Sequence, residues 1–268
     1  MALFLQPLES LPKDALHLLA YAALGLLLQV GWPARREQRF LRRDLGTDLL
    51  HSFVTPFLAA PIVLLLLLVT GVIHLRANGP GVVSLLPFWL QAVAAIFTVD
   101  LVGYWRHRLL HTRVGWPFHA VHHSSRELDW LSNDRVEVGE LVTTNFLQAS
   151  ALLVCGFSPE MIAVNALLRR TWGFFIHMNA AIPYGPLRWV LVSPTFHRWH
   201  HSEDPRARDK NFATFFAGID WVFGTWFCPA DEAPGALGAG EPPVPEGWVS
   251  QVAYPWLHWG RTLLGRAG

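Results

Sequence analysis

Four long apolar stretches limit what this chain can fold into more than any other feature. They run over about 15–32, 47–75, 82–105 and 141–176, and the second contains IVLLLLLVTGVI. A helix that crosses a bilayer needs about 20 apolar residues to span a hydrocarbon core about 30 Å thick. The first three stretches are long enough, the first being the shortest. The fourth is too long for one crossing and is interrupted by GFSPE at 156–160, so it reads as a helical hairpin that enters and returns. Composition agrees. Charged residues are 15% of the chain, against about 25% in a soluble domain, and the mean hydropathy is +0.29. Thirteen tryptophans suit the headgroup level of a membrane. A net charge of +1 points to no nucleic-acid partner. The two cysteines, Cys155 and Cys228, lie in no CxxC pair and read as reduced packing residues.

Basic residues orient these segments. The loop ARREQRFLRRD carries Arg35, Arg36, Arg39, Arg42 and Arg43, and loops of this kind stay on the cytoplasmic side. The N-terminus is then outside, 47–75 runs outward, and 82–105 returns to the basic WRHRLLHTR. The hairpin ends on that same side. No signal-peptide cleavage pattern follows the first apolar stretch. Residues 229–247 are rich in Pro, Gly and Ala and read as a surface loop. Residues 249–265, with Trp256, Trp259 and Arg261, read as a helix lying on the membrane.

Nine histidines fall on the predicted cytoplasmic face. They are His107 and His111 in HRLLH, then His119, His122 and His123 in HAVHH, His177 in FFIHMN, and His197, His200 and His201 in HRWHH. At 3.6 residues per turn, positions i, i+3 and i+4 share a helix face. HxxxH therefore presents two imidazoles together, and HxxHH presents three. A lone His177 would ordinarily be a core histidine, but the hairpin delivers it beside the others. Nine imidazoles are too many for one four-coordinate ion and suit two. The remaining four, His17, His51, His74 and His258, read as packing or interfacial residues. Imidazole suits Zn, Cu, Fe and Ni. Zinc serves hydrolysis but has no redox chemistry, whereas oxidation of an unactivated C–H bond demands a redox centre. A metal transporter or sensor, a zinc-dependent membrane hydrolase and a non-catalytic relative remain alternatives on the residues alone.

The run DLVGYWRHRLLH, HAVHHSS, FFIHMN, SPTFHRWHHSED and KNFATFFAGIDWVFGT resembles the fatty acid hydroxylase/sterol desaturase superfamily over about residues 90–230. The resemblance implies an all-α integral membrane fold of about three spanning helices plus a helical hairpin, with a cytoplasmic His-rich helical cap holding a dimetal site. It implies that His107, His111, His119, His122, His123, His177, His197, His200 and His201 ligate two non-haem irons, although zinc is able to fill such a site in recombinant material. It further implies an enzyme that hydroxylates or desaturates a membrane lipid with O2. Electrons would come from a separate reductase, since the chain carries no GxGxxG and no cysteine set for an iron–sulfur cluster. The expected location is the inner membrane, with the active site facing the cytoplasm.

Supporting residues follow from the same match. Asp100 lies in an apolar helix seven residues before His107, where a carboxylate is costly and marks function. It is expected to accept the spare N–H of a ligating imidazole. Tyr104 and Arg108 match the stretch around the first box, and Asn179, Asn211 and Asp220 match positions after the third and fourth. Many members carry Arg-x-His-Pro after the second box. Here the residues are Arg135, Val136, Glu137 and Val138, so Glu137 stands where that histidine would be, as an oxygen ligand, an acceptor behind the ligands, or a solvated charge. The whole chain reads as one domain: membrane helices over 1–105, a His-box region over 106–228, and a loop with an interfacial helix over 229–268.

Overall fold

The computed structural model describes residues 6–77, 81–241 and 243–263, with side chains for 19–71, 81–241 and 243–260. The side chains of His17, His74 and Arg261 lie outside these. Among the described residues ten α-helices follow one another: α1 (Gln6–Gly31), α2 (Leu45–Phe53), α3 (Thr55–Ala77), α4 (Phe88–Leu110), α5 (Trp116–His123), α6 (Val138–Val154), α7 (Pro159–His177), α8 (Pro194–His200), α9 (Ala217–Val222) and α10 (Trp248–Leu263). Among the described residues there is no β-strand, only isolated bridges joining Pro33 to Ala180 and Ser202 to Leu237.

Among the described residues, two helical segments are long and apolar enough to cross a membrane, Leu45–Gly71 and Phe88–Leu110. Only 11% and 22% of their most apolar windows are buried within the chain, so they are not core helices of a soluble fold. With the family described below, they mark a membrane protein. The sequence reading expected a third crossing. The first stretch is helical, but its described apolar part is only Leu19–Gly31. The second stretch is not one unbroken helix: a turn at Val54 separates α2 from α3. Pro56, just beyond, has no N–H to give the carbonyl four residues back.

The hairpin follows from local chemistry. Gly156 adopts φ +82°, a left-handed conformation that reverses the chain after α6. Ser158 then caps α7 by accepting from Met161 N at 3.3 Å, with Pro159 in the first turn. A Cβ on Gly81 would lie 2.6 Å from Gly156 Cα, so two glycines let the α3–α4 connection cross the hairpin tip. Ala95 and Val99 of α4 pack on Leu152, Phe157 and Met161 of the hairpin. A second core joins Tyr104, Ile176, Phe196, Trp199 and Phe212 beneath the histidine-bearing helices.

The basic loop after α1 is more than a solvated charge run. Arg42 is buried and pairs with Asp48 and, at 2.7 Å, with Asp129. Asp129 in turn caps the turn at Trp130–Asp134. Gln38 donates to Leu128 O at 2.9 Å. Part of the loop's positive charge is thus the cement between this loop and the His-rich region. His51 is a buried bridge, bonded to Val136 O at 3.1 Å and Gln251 Oε1 at 3.0 Å. Cys155 is exposed and Cys228 buried, both as free thiols.

Candidate metal centre

All nine clustered histidines converge, and they divide into two groups. His107, His111, His119, His123 and His200 form one; His122, His177, His197 and His201 form the other. Within each group one ring nitrogen per residue lies within 4.8 Å of all the rest. The division follows from helix geometry. On α5, at about 100° per residue, His119 and His123 project about 40° apart, while His122 turns about 60° to the other side of His119. The same spacing on α8 sends His197 and His201 to one group and His200 to the other. Each HxxHH box therefore serves both groups. α4 contributes His107 and its C-terminal His111, and α7 contributes His177 as its last residue.

The rings are aimed by what holds their outer nitrogens. Nδ1 of His107 donates to Phe212 O at 2.8 Å, that of His122 to Arg135 O at 3.2 Å, that of His177 to Gly173 O at 2.7 Å, and that of His200 to Lys210 O at 2.8 Å. Carboxylates take two more: His119 Nδ1 donates to Glu140 Oε1 at 2.9 Å, and His111 Nδ1 to Asp209 Oδ1 at 3.2 Å. A carbonyl or carboxylate only accepts, so each of these Nδ1 atoms carries the proton and leaves Nε2 as a bare lone pair in the neutral ring. Burial, reinforced by neighbouring imidazoles, lowers the pKa of His119, His122, His123, His197, His200 and His201 well below 6.5, which keeps these rings neutral.

These lone pairs face one another. His107 Nε2 lies 2.8 Å from His119 Nε2, and His177 Nε2 lies 3.3 Å from His122 Nε2. Neither contact has a proton to share, so both are repulsive without a positive charge among them. In addition, His111 Nε2, His197 Nδ1 and His201 Nδ1 are buried without a hydrogen-bond partner among the described residues. Neutral, oriented, acceptor-only nitrogens are the donor set that a transition-metal ion requires, and each group can hold one. A cavity of about 450 Å³ reaches His111, His123 and His200 of the five-histidine group and is rimmed by Arg113, Arg208 and Glu241. The four-histidine group is wholly buried.

The fatty acid hydroxylase family model matches residues 92–225, the stretch that carries every one of these histidines. The chain belongs to the fatty acid hydroxylase family. Among curated fatty acid hydroxylase relatives, alkylglycerol monooxygenase of Danio rerio is 33% identical over 147 residues, 54% of this chain and 31% of that protein. The alkylglycerol monooxygenase of Homo sapiens is 32% identical over 135 residues, 50% of this chain and 30% of that protein. Ornithine lipid hydroxylase OlsE of Rhizobium tropici is 27% identical over 177 residues, 65% of this chain and 53% of that protein. The chain thus spans about a third to a half of the length of these relatives. No solved structure matches it.

The family's polar residues stand behind the histidines, but not always as the sequence suggested. Asp100 reaches no imidazole. Its oxygens accept the backbone N–H of Thr214 at 2.8 Å, Phe215 at 3.1 Å and Phe216 at 2.7 Å. Asp220 accepts those of Phe212 at 2.7 Å and Ala213 at 2.8 Å. Together they hold the segment whose Phe212 carbonyl orients His107. Arg108 donates to Tyr104 OH at 3.2 Å, and Tyr104 OH lies 2.9 Å from Thr225 Oγ1, which donates to Asp220 at 2.7 Å. Asn211, at φ 62°, donates to Phe196 O and Phe227 O and accepts from Phe227 N, tying α8 to the chain after α9. Asn179 pairs with both backbone groups of Arg35, at 3.0 and 2.9 Å, and so fastens the end of α7 to the basic loop.

Glu137 is neither a solvated charge nor a member of either histidine group. It is buried and caps α6, accepting from Gly139 N at 2.6 Å and Glu140 N at 3.1 Å, while Trp256 Nε1 of α10 donates to its other oxygen at 3.1 Å. Burial pushes its carboxyl up. The carboxylates that do reach clustered histidines are Asp209, at His111, and Glu140, shared between His119 and Arg106 Nη2 at 3.1 Å; of these, only Glu140 left a trace in the sequence. An acidic residue opening an apolar helix was the one available sign of it in the sequence. Asp209 and the four carbonyl acceptors gave no sign at all.

Proposed function

We propose that the chain is a membrane-bound non-haem di-iron oxidoreductase that hydroxylates a lipid C–H bond, with O2 as co-substrate and a separate reductase as electron donor. The observation that carries this reading is the division of nine imidazoles, six of them with Nδ1 held by an acceptor, into a group of five and a group of four, without cysteine. His107, His111, His119, His123 and His200 hold one iron, and His122, His177, His197 and His201 the other. Two irons held there would supply the redox chemistry with O2 that an unactivated C–H bond requires and that zinc lacks.

The chain's own residues supply the rest. Acceptors at Phe212, Arg135, Gly173 and Lys210 keep the proton on Nδ1, so that Nε2 is free to ligate. Glu140 adds negative charge behind His119, which raises the ring's donor strength. The neutral, buried four-histidine group excludes water, while the cavity beside the five-histidine group admits polar species. Relatives named for alkylglycerols and ornithine lipids support a lipid with a polar head as substrate. The basic connections after α1 and α4 support a third crossing through α1 and a cytoplasmic site, at the inner membrane.

Metal analysis of chain purified from an iron-replete host, joined to turnover of extracted lipids, tests the reading. The expected result is two irons per chain and a lipid product 16 Da heavier that forms only with O2 and a reductant. Reductant-independent hydrolysis by a zinc-loaded chain would overturn it.

A further inference from the structure

α4 has 23 residues, about 34 Å at 1.5 Å per residue, which matches a hydrocarbon core about 30 Å thick. Trp89, Val93, Phe97, Trp105 and Leu109 recur along it at helical spacing and are exposed, as a lipid-facing stripe requires. Asp100 sits near the middle of the helix, about 15 Å from its end. Yet Asp100 binds the backbone of Thr214, Phe215 and Phe216, and Phe97 meets Phe216 ring to ring at 6.0 Å. The non-helical segment after the last histidine box therefore runs back along α4 to mid-helix depth.

Irregular backbone at that depth has no water to bond and persists only where its polar groups are satisfied. Here they are. Asn211 N donates to Thr225 O at 2.9 Å, Phe212 and Ala213 donate to Asp220, and Thr214, Phe215 and Phe216 donate to Asp100. Phe215 O accepts from Val192 N at 2.9 Å. Six consecutive N–H groups are thus spoken for, four of these residues being Phe or Ala. This explains a carboxylate inside an apolar helix without assigning it to the metals. The outer surface of the same segment is apolar as well. Trp221 and Val222 are 67% and 68% exposed, and Leu187, Trp189 and Val190 beside them are exposed too. Phe223 joins this patch to the α4 stripe through Trp105, with ring centroids 5.0 Å apart.

We propose that Phe212–Phe223 re-enters the membrane beside α4, and that Trp221, Val222, Trp189 and Val190 contact lipid acyl chains. The occupant of this face is the bilayer, because Phe223 and Trp105 join it to a spanning helix's lipid-facing stripe; the guanidinium groups of Arg108 and Arg188, stacked over Trp105 and Trp189, are long enough to snorkel to the headgroups. On the lipid-oxidising reading above, on which this consequence rests, the immersed segment holds His107 through Phe212 O. It thereby sets the five-histidine group beside the acyl layer, and a substrate carbon meets it without leaving the membrane.

Spin labels on the full chain in phosphatidylcholine bilayers test this. In a Cys155→Ser background, single cysteines replace Val222, Trp221, Val93 on α4, or Asp231 on the surface loop. Collision with O2, which concentrates in the acyl layer, is compared with collision with a water-soluble nickel chelate. Labels at 221 and 222 should favour O2, as at 93, while 231 favours the chelate. Chelate-favouring labels at 221 and 222 with an O2-favouring label at 93 would overturn the re-entrant segment and leave the spanning helix intact. Labels at 221 and 222 shielded from both reagents would overturn it in favour of a protein partner. A chelate-favouring label at 93 would overturn both it and the spanning reading of α4. Metal content and lipid turnover, measured on the same samples, report on the oxidase reading separately.

Discussion

Glu140 is the sharpest point at which to perturb the site, because one of its two buried oxygens serves two partners while the other has none among the described residues. Glu140 Oε1 accepts from His119 Nδ1 at 2.9 Å and from Arg106 Nη2 at 3.1 Å, and its side chain is only 5% exposed. Glu140→Ala removes both charge-assisted bonds, each worth about 1.5–3 kcal/mol. It also leaves Arg106 largely buried, still bonded to Thr144 and the Glu140 carbonyl but without a counter-charge. Breaking one side of a buried pair costs about 3–5 kcal/mol. Loss of the partner behind a metal-binding histidine weakens metal affinity about 10–100-fold. The expected result is therefore a clear fall in unfolding temperature and metal loss confined to the five-histidine group. Glu140→Gln should be milder, since its carboxamide oxygen can still accept from both donors. Asp209→Ala should be milder still, because that carboxylate is 60% exposed and 3.2 Å from His111. The assay is metal content after dialysis of the full chain against graded chelator, beside thermal unfolding. Wild-type metal retention in Glu140→Ala, or an Asp209→Ala effect as large, would refute the reasoning.

His200→Ala should empty the five-histidine group and His122→Ala the four-histidine group, each leaving the other ion in place; metal counted per chain checks this, and unchanged metal in either contradicts the assignment. Asp100→Asn puts an amide NH2 where the carboxylate accepts three backbone N–H groups, leaving at least one donor unsatisfied at about 1–3 kcal/mol; unfolding temperature and the metal of the five-histidine group should both fall, and an unchanged protein would count against the clamp. Glu137→Ala should cost about 0.5–2 kcal/mol as a lost helix cap without selective metal loss, which chelator dialysis distinguishes from a ligand. Gly156→Ala should destabilise the hairpin, because its φ is +82° and its Cβ would lie 2.3 Å from Gly81 Cα; a left-handed residue alone costs about 1–2 kcal/mol, and unchanged thermal stability would refute the close crossing.

Some of this was legible in the sequence because it is local. Apolar length marks a helix that can cross a membrane whatever surrounds it, and Gly156, Ser158 and Pro159 end one helix and start the next through their own backbone preferences. The histidine spacing is of the same kind: HxxxH and HxxHH define shared faces by helix periodicity alone. Where those faces meet is not local. That His122 leaves its neighbours for His177, His197 and His201 depends on how α5, α7 and α8 are placed around one another. Asp100 shows the same limit: its cost in an apolar helix was readable, but its partners are backbone amides more than a hundred residues away, and an amide leaves no mark in a sequence. Arg42 looked like one of five equivalent charges until Asp48 and Asp129 enclosed it. Residue type and spacing determined which atoms are able to bind metal and lipid. The tertiary structure alone decided which nitrogens face each other, which carboxylate stands behind them and how far the chain returns along α4, because each depends on contacts between segments distant in sequence.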